Sequence, residues 1–152
     1  MRVLGIAVRV SSWKSTVSLT LLEAAAGGGR SAPTVVESVQ VTEHDGDWAV
    51  HVGNVSKAVR GHMTSMRPDS VVVRRADQAR QTRNSDGPKL RLMIEGGIIA
   101  ASLDATGEVQ VLTGQECAKA CSTIKDDLDA RAGRMVPNGY AEAAAAALAA
   151  LA

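Results

Sequence analysis

Acidic and histidine side chains cluster just ahead of the first predicted helix, in the segment 44–48 (HDGDW). His44, Asp45 and Asp47 are residue types that can bind a metal ion. Short polar residues at a glycine turn before a helix more often cap that helix by accepting hydrogen bonds from its first backbone amides. We therefore expect these residues to cap the helix, and we expect no metal or other cofactor.

Two cysteines, Cys117 and Cys121, lie four residues apart in a segment with a helical pattern. That spacing places both thiols on one helical face. A structural zinc site takes four ligands, and the sequence has no second cysteine pair. A buried, reduced pair is the expected arrangement, and it is typical of a cytoplasmic protein.

Motifs of covalent or phosphate chemistry are missing from the sequence. His51 and His62 have no obvious partners for a catalytic triad, and there is no Gly-x-Ser-x-Gly elbow. The glycines of 27–29 lack the Lys-Ser/Thr that completes a phosphate-binding loop.

A basic, loop-like segment spans residues 74–91 and carries six positive and two negative residues. Its cations are candidates for binding nucleic acid or another partner: Arg74, Arg75, Arg80, Arg83, Lys89 and Arg91. Phosphate contacts in this segment would be electrostatic and would weaken with salt. A solvated loop is the alternative, because the segment has no aromatic residue to stack on a base.

Three strands are predicted before the first helix. Residues 2–10 are rich in Val, Leu and Ile, as in a buried strand, whereas 15–22 and 34–42 alternate polar and apolar residues. The first two strands are so close in sequence that we expect an antiparallel hairpin. The segment 24–33 is a flexible loop by composition.

Helices and strands then alternate. The predicted elements are a helix over 49–66, a strand over 70–73, a helix over 88–103, a strand over 108–113, a helix capped by Thr113, a charged linker over 125–135 and a final helix capped by Asn138. The order β-β-β-α-β-α-β-α-α predicts an α/β protein with a mixed five-stranded sheet and helices on both faces.

Two helices are unusually rich in small residues. The centre of 88–103 is apolar all round, which predicts burial, and Gly96-Gly97 would let another backbone approach closely. The last helix is nearly all alanine, so it can pack on this sheet or on a partner chain. Packing in the core is the favoured role.

Length and composition are those of one globular domain, residues 1–152. Hydrophobic residues make up 45% and charged residues 22%, and the net charge of +1 gives no overall attraction to nucleic acid or membranes. There is no membrane-spanning run and no secretory signal pattern, so we expect a cytoplasmic location and no membrane partner.

Five segments, in order along the chain, resemble the RuvC branch of the ribonuclease H-type fold, the Holliday-junction resolvases. They are VLGIAVR (3–9), RPDSVVVRR (67–75), NSDGPKLRLMIEGGIIAAS (84–102), LTGQECAKACS (112–122) and VPNGYAEAAAAALA (136–149). The first looks like the family's V-L-G-I-D-P-G strand and the second like its P-D-x-x-x-I-E strand. The chain also resembles small RuvC-like bacterial proteins with reduced motifs.

The resemblance implies a metal site that has been lost. The family holds two divalent ions with four carboxylates, and these positions fall on Ala7, Arg74, Gly139 and Glu142. The formal charge of the four side chains is then zero (Ala 0, Arg +1, Gly 0, Glu −1). Hard cations need clustered oxygen ligands. We therefore expect neither catalytic residues nor a metal site, and Arg74 and Glu142 are expected to pair unless both point to solvent.

The resemblance implies an inactive pseudonuclease that acts as a binding or scaffold subunit. Resolvases of this family are homodimers, so self-association through the helix with Gly96-Gly97 is expected, in a homo-oligomer or with another protein or nucleic acid. The alternative is a divergent metal-dependent nuclease, resolvase-like, that uses Glu142 and a recruited Asp. A third hypothesis is regulation of an active relative through mixed dimers.

Overall fold

A computed structural model describes residues 1–25, 31–77 and 85–152 of the chain. These residues form five strands and five helices: β1 (Arg2–Ser11), β2 (Lys14–Glu23), β3 (Thr34–Glu43), α1 (Trp48–Met66), β4 (Ser70–Arg74), α2 (Asp86–Ala105), β5 (Val109–Leu112), α3 (Gly114–Ala120), α4 (Lys125–Gly133) and α5 (Ala141–Ala150).

The strands form one mixed sheet in the order β3-β2-β1-β4-β5. The β1–β2 and β2–β3 pairs are antiparallel, whereas β1–β4 and β4–β5 are parallel. The hairpin and the mixed five-stranded sheet predicted from the sequence are thus confirmed, and β1, β2 and β3 form an antiparallel meander.

The two faces of the sheet bury different sets of side chains, because successive residues of a strand point to opposite faces. Leu4, Ile6 and Val8 of β1 lie in the core beneath α1 and α2. Val3 of the same strand and Val72 of β4 belong to the second core, with α3, α4 and α5. Helices therefore cover both faces, as predicted.

The alanine-rich helix α5 packs on the sheet of its own chain. This arrangement is the one favoured from the sequence over packing on a partner chain. Its residues Ala143 to Ala149 are buried, and it packs directly over Gly5 of β1. A β-carbon at Gly5 would collide with the carbonyl oxygen of Ala143 and lie 2.7 Å from the amide nitrogen of Ala147. Small residues on both sides are what allows this close approach.

Two expectations near the C-terminus were wrong. The segment predicted as a charged linker over 125–135 contains helix α4, so the element order has one helix more than predicted. The last helix begins at Ala141 rather than after Asn138, and Tyr140 occupies the N-cap position without a side-chain capping bond. Only Leu128 and Ala132 of α4 are buried. The segment therefore has too few apolar residues for a helical period to be recognised in the sequence.

Helix α2 is buried on one face only, which corrects the expectation that it is buried all round. Leu90, Ile94 and Ile98 lie in the core. Gly97 faces α1, where an added β-carbon would collide with the Ser56 hydroxyl, whereas Gly96 has no atom within 4 Å of such a β-carbon. One apolar face of α2 is consequently exposed.

No helix among the residues that the structure describes is both long and apolar enough to cross a membrane.

Candidate functional site

The site that the sequence points to lies on one row of the sheet. Arg74, at the end of β4, is in register with Ala7 of β1, which is in register with Ser18 of β2 and then with Gln40 of β3. These side chains lie on the same face as Val3 and Val72, which is the face covered by α3, α4 and α5.

Arg74 is buried and paired with an acid from α4. Its side chain is 3% exposed, and it donates from Nη1 and Nη2 to Oδ1 and Oδ2 of Asp129 at 2.6 and 3.0 Å. Such a two-bond contact is a strong form of ion pair. The expected pair between Arg74 and Glu142 is therefore wrong, because the unpredicted helix α4 brings Asp129 to the end of β4.

The two partners shift each other's protonation in the direction that favours the ion pair. Burial alone would lower the pKa of Arg74, but the hydrogen bond and charge of Asp129, with the charge of Glu142, raise it above its ordinary value. Burial alone would raise the pKa of Asp129, but Arg74 and then Lys125 hold it below its ordinary value. Both groups are charged at neutral pH.

The pair is embedded in a small network of charges around the first turns of α3 and α4. Lys125 Nζ lies 3.4 Å from Asp129 Oδ2 and 4.0 Å from Asp77 Oδ2. Gly114 leaves room for this network, since an added β-carbon would lie 2.5 Å from Arg74 Nη2. The Arg74 guanidinium is therefore packed into the protein interior against Asp129 and Gly114 and is not a surface group.

Gly139 forms part of the turn that precedes α5. Gly139 has a positive φ of 96°, which glycine adopts at low cost. Ser18 Oγ donates to its carbonyl oxygen at 3.0 Å, and Gln40 Nε2 donates to Ser18 Oγ at 3.1 Å. The turn before α5 is therefore tied to the sheet by hydrogen bonds, with no ligand needed.

A polar cleft of about 340 Å³ lies beside this row. Its lining residues come from β1, β2, β3, α4 and the start of α5: Ala7, Val8, Arg9, Thr16, Ser18, Gln40, Asp129, Asn138, Gly139, Ala141 and Glu142. Three of the four positions carried over from the resemblance (Ala7, Gly139 and Glu142) thus meet in one cleft, with Arg74 adjoining it through Asp129.

The residues present do not fit a pair of divalent ions. Ala7 offers a methyl group, Gly139 has no side chain, and both oxygens of Asp129 accept from Arg74. Glu142 remains as a single carboxylate, whereas hard divalent cations need several clustered oxygen ligands. Within the ranges 1–25, 31–77 and 85–152, no group of three or more His, Cys, Asp or Glu is placed to hold a metal ion.

The cations of the basic segment 74–91 differ in their exposure. Arg75 and Lys89 are exposed, whereas Arg74 is buried and is removed from the candidate contact surface. Arg91 donates from Nε to Oε1 of the buried Glu95 at 2.8 Å. The remaining two candidates, Arg80 and Arg83, lie outside the described residues.

Two other groups of polar side chains have structural roles. Of the three residues expected to cap α1, Asp47 is the N-cap and accepts from the backbone amide of Val50 at 3.0 Å, whereas Asp45 Oδ1 accepts from the backbone amide of Asp47, before the helix begins. His51, for which the sequence offered no triad partner, lies on the buried face of α1, and its Nε2 is 2.7 Å from the hydroxyl oxygen of Ser15. Because both groups are fully buried, this Ser–His pair has no access to a substrate.

The cysteines are free thiols with unequal exposure. Cys117 is buried, as expected, and Cys121 is only half-buried. Burial raises the pKa of Cys117 to about 11, against the opposing charge of Arg74. A thiol with so high a pKa is a poor nucleophile at neutral pH.

No protein-family model and no sequence of a curated protein matches the chain. Among solved structures, RuvC of Thermus thermophilus is similar, with a TM-score of 0.75 and 18% identity over 98% of this chain and 92% of RuvC. The T. thermophilus RuvC in complex with a Holliday junction substrate gives a TM-score of 0.74 and 19% identity over the same shares of the two chains. The protein therefore has a RuvC-like, ribonuclease H-type fold.

Proposed function

We propose that this protein is a catalytically inactive, RuvC-like pseudonuclease that acts as a binding or scaffold subunit, with residues 1–152 as one domain. One observation carries the proposal. At the end of β4, beside Ala7, the structure has a buried Arg74 that is neutralised by Asp129. An ion pair of the protein itself occupies a position where a metal-dependent nuclease needs a carboxylate.

Nucleic acid is the first partner to test. One of the two similar RuvC structures is a complex with a Holliday junction substrate. Arg75 and Lys89 are exposed on this chain and flank the remaining basic residues. Cationic side chains of this kind contact phosphates without reading sequence. A cytoplasmic location, where such a partner is present, is part of the proposal.

The test is an assay on four-way DNA junctions with Mg²⁺ or Mn²⁺. We expect a salt-sensitive gel shift and no cleavage with either ion. Replacing Arg75 and Lys89 with glutamate should weaken binding about tenfold at low salt, whereas the control with glutamate at the exposed Lys57 and Lys119 should bind as the wild type does. Cleavage that requires Glu142 would contradict inactivity and favour the divergent nuclease. An absence of binding at low salt would remove nucleic acid as the partner.

A homodimer through α2 is the second part of the proposal. Leu92, Met93 and Leu103 are 65%, 44% and 58% exposed, and they lie on the same side of the helix as the open Gly96. An exposed apolar helix face of this kind is typical of a protein interface. In a dimer, two α2 helices can approach closely at Gly96.

Replacing Leu92 and Leu103 with glutamate should convert a dimer to a monomer without unfolding it, because both side chains are exposed in the single chain. Sedimentation equilibrium at micromolar concentration measures this. Val36→Glu is a matched control, since Val36 is also exposed but lies on β3 at the far edge of the sheet. A wild-type protein that is monomeric under these conditions would contradict the dimer.

A further inference from the structure

The polar cleft contains two opposite charges that do not pair with each other. Arg9 of β1 and Glu142 of α5 both line it. Neither makes an ion pair or a side-chain hydrogen bond with any residue in the described part of the chain. The third charged residue of the lining, Asp129, is already neutralised by Arg74 and Lys125. The cleft therefore offers one exposed cation and one half-buried anion, and neither is held in a direct ion pair within the described residues.

The remaining polar side chains of the lining are neutral hydrogen-bonding groups. Thr16 supplies a hydroxyl and Asn138 an amide, whereas Ser18 Oγ already donates to the Gly139 carbonyl oxygen and Gln40 Nε2 to Ser18 Oγ. The volume of about 340 Å³ is near the lower end of the range for small-molecule sites. No aromatic ring belongs to the lining formed by the described residues, so the cleft does not offer a stacking surface for a base.

We propose that this cleft binds a small zwitterion, namely a free amino acid with a neutral polar side chain. The ligand's carboxylate would contact Arg9, because a guanidinium matches a carboxylate with two parallel hydrogen bonds. Its ammonium group would contact Glu142, and its side chain would contact the Thr16 hydroxyl and the Asn138 amide. A simple anion is disfavoured by Glu142 and a simple cation by Arg9. The site uses Glu142 as the ammonium contact, so it rests on the proposed pseudonuclease function, in which this carboxylate holds no metal ion.

The first experiment compares three matched probes by calorimetric titration of the full chain. L-glutamine carries both charges, L-glutamine amide carries only the positive charge, and N-acetyl-L-glutamine carries only the negative charge. We expect L-glutamine to bind about tenfold more tightly than either of the others, since a lost charge contact of about 1.4 kcal/mol is one factor of ten. Inorganic phosphate is a fourth probe and should bind no better than N-acetyl-L-glutamine.

The second experiment assigns the charges to residues. Arg9→Gln should weaken L-glutamine about tenfold and bind the cationic amide at least as tightly as the wild type does, whereas Glu142→Gln should weaken L-glutamine about tenfold and bind the anionic N-acetyl form at least as tightly as the wild type does. Lys14→Gln, at an exposed lysine outside the cleft lining, should change none of these affinities. Binding that prefers phosphate, equal binding of all three probes, or no binding at about 10 mM ligand would overturn the proposal.

Discussion

Replacing Asp129 with alanine should lower the free energy of unfolding by about 3 kcal/mol, because it leaves a buried guanidinium without its partner. Arg74 is 3% exposed and makes both of its described hydrogen bonds to Asp129. Removing one member of a buried pair costs more than the pair contributes, since the remaining charge stays in a poorly solvated place. Urea denaturation of the purified variants measures the effect.

The matched control removes both charges. Arg74→Met combined with Asp129→Ala should stay within about 1 kcal/mol of the wild type, because an apolar side chain of similar length fills the same space. If Asp129→Ala alone cost less than about 0.5 kcal/mol, the ion pair would not have the role assigned to it.

The same pair predicts how stability depends on pH. The pKa of Asp129 is lowered in the folded protein, so its contribution is fully present above the ordinary carboxyl value of about 3.9 and is lost as the pH falls below it. The Asp129→Ala variant should therefore lose less stability than the wild type between neutral and acid pH.

Replacing Gly5 with alanine should destabilise the protein by about 3 kcal/mol or prevent folding, because overpacking against a backbone has no easy relief. The new β-carbon would collide with the Ala143 carbonyl oxygen, and both β1 and α5 are fixed in the core. Thermal unfolding followed by circular dichroism measures the change.

Gly61→Ala is the control for this substitution. Gly61 lies in α1, and an added β-carbon there has no atom within 4 Å. Alanine in a helix interior is favoured over glycine by about 1 kcal/mol, so this variant should be more stable than the wild type. Equal stability of Gly5→Ala and the wild type would show that α5 does not press on the sheet as described.

Much of the fold could be predicted because the strands and the first helix have clear periodicity. The capping box of Thr113 and Glu116 was also predictable, since it depends on residues three apart, and both of its hydrogen bonds are present. Helix α4 was missed because only Leu128 and Ala132 are buried, so contacts with α5 and α3 hold it rather than its own pattern.

The candidate site was less predictable for a related reason. The sequence places Arg74 where the resemblance has a carboxylate, and it places Glu142 near it. Arg74 pairs with Asp129, which lies on a separate helix 55 residues further along the chain. No spacing pattern in the sequence relates residues so far apart, so this partner could not be predicted. Likewise, the exposed face of α2 could not be distinguished from its buried face, because both are apolar in sequence.

The cleft beside Ala7 and Glu142 should not bind divalent ions, and the most direct test is a calorimetric titration of Mn²⁺ into the wild type. Ala7→Asp combined with Arg74→Glu serves as the positive control, because it adds two carboxylates in register beside Glu142. We predict no wild-type binding tighter than about 1 mM and at least roughly tenfold tighter binding by the double variant. Micromolar Mn²⁺ binding by the wild type that disappears in Glu142→Gln would contradict the account.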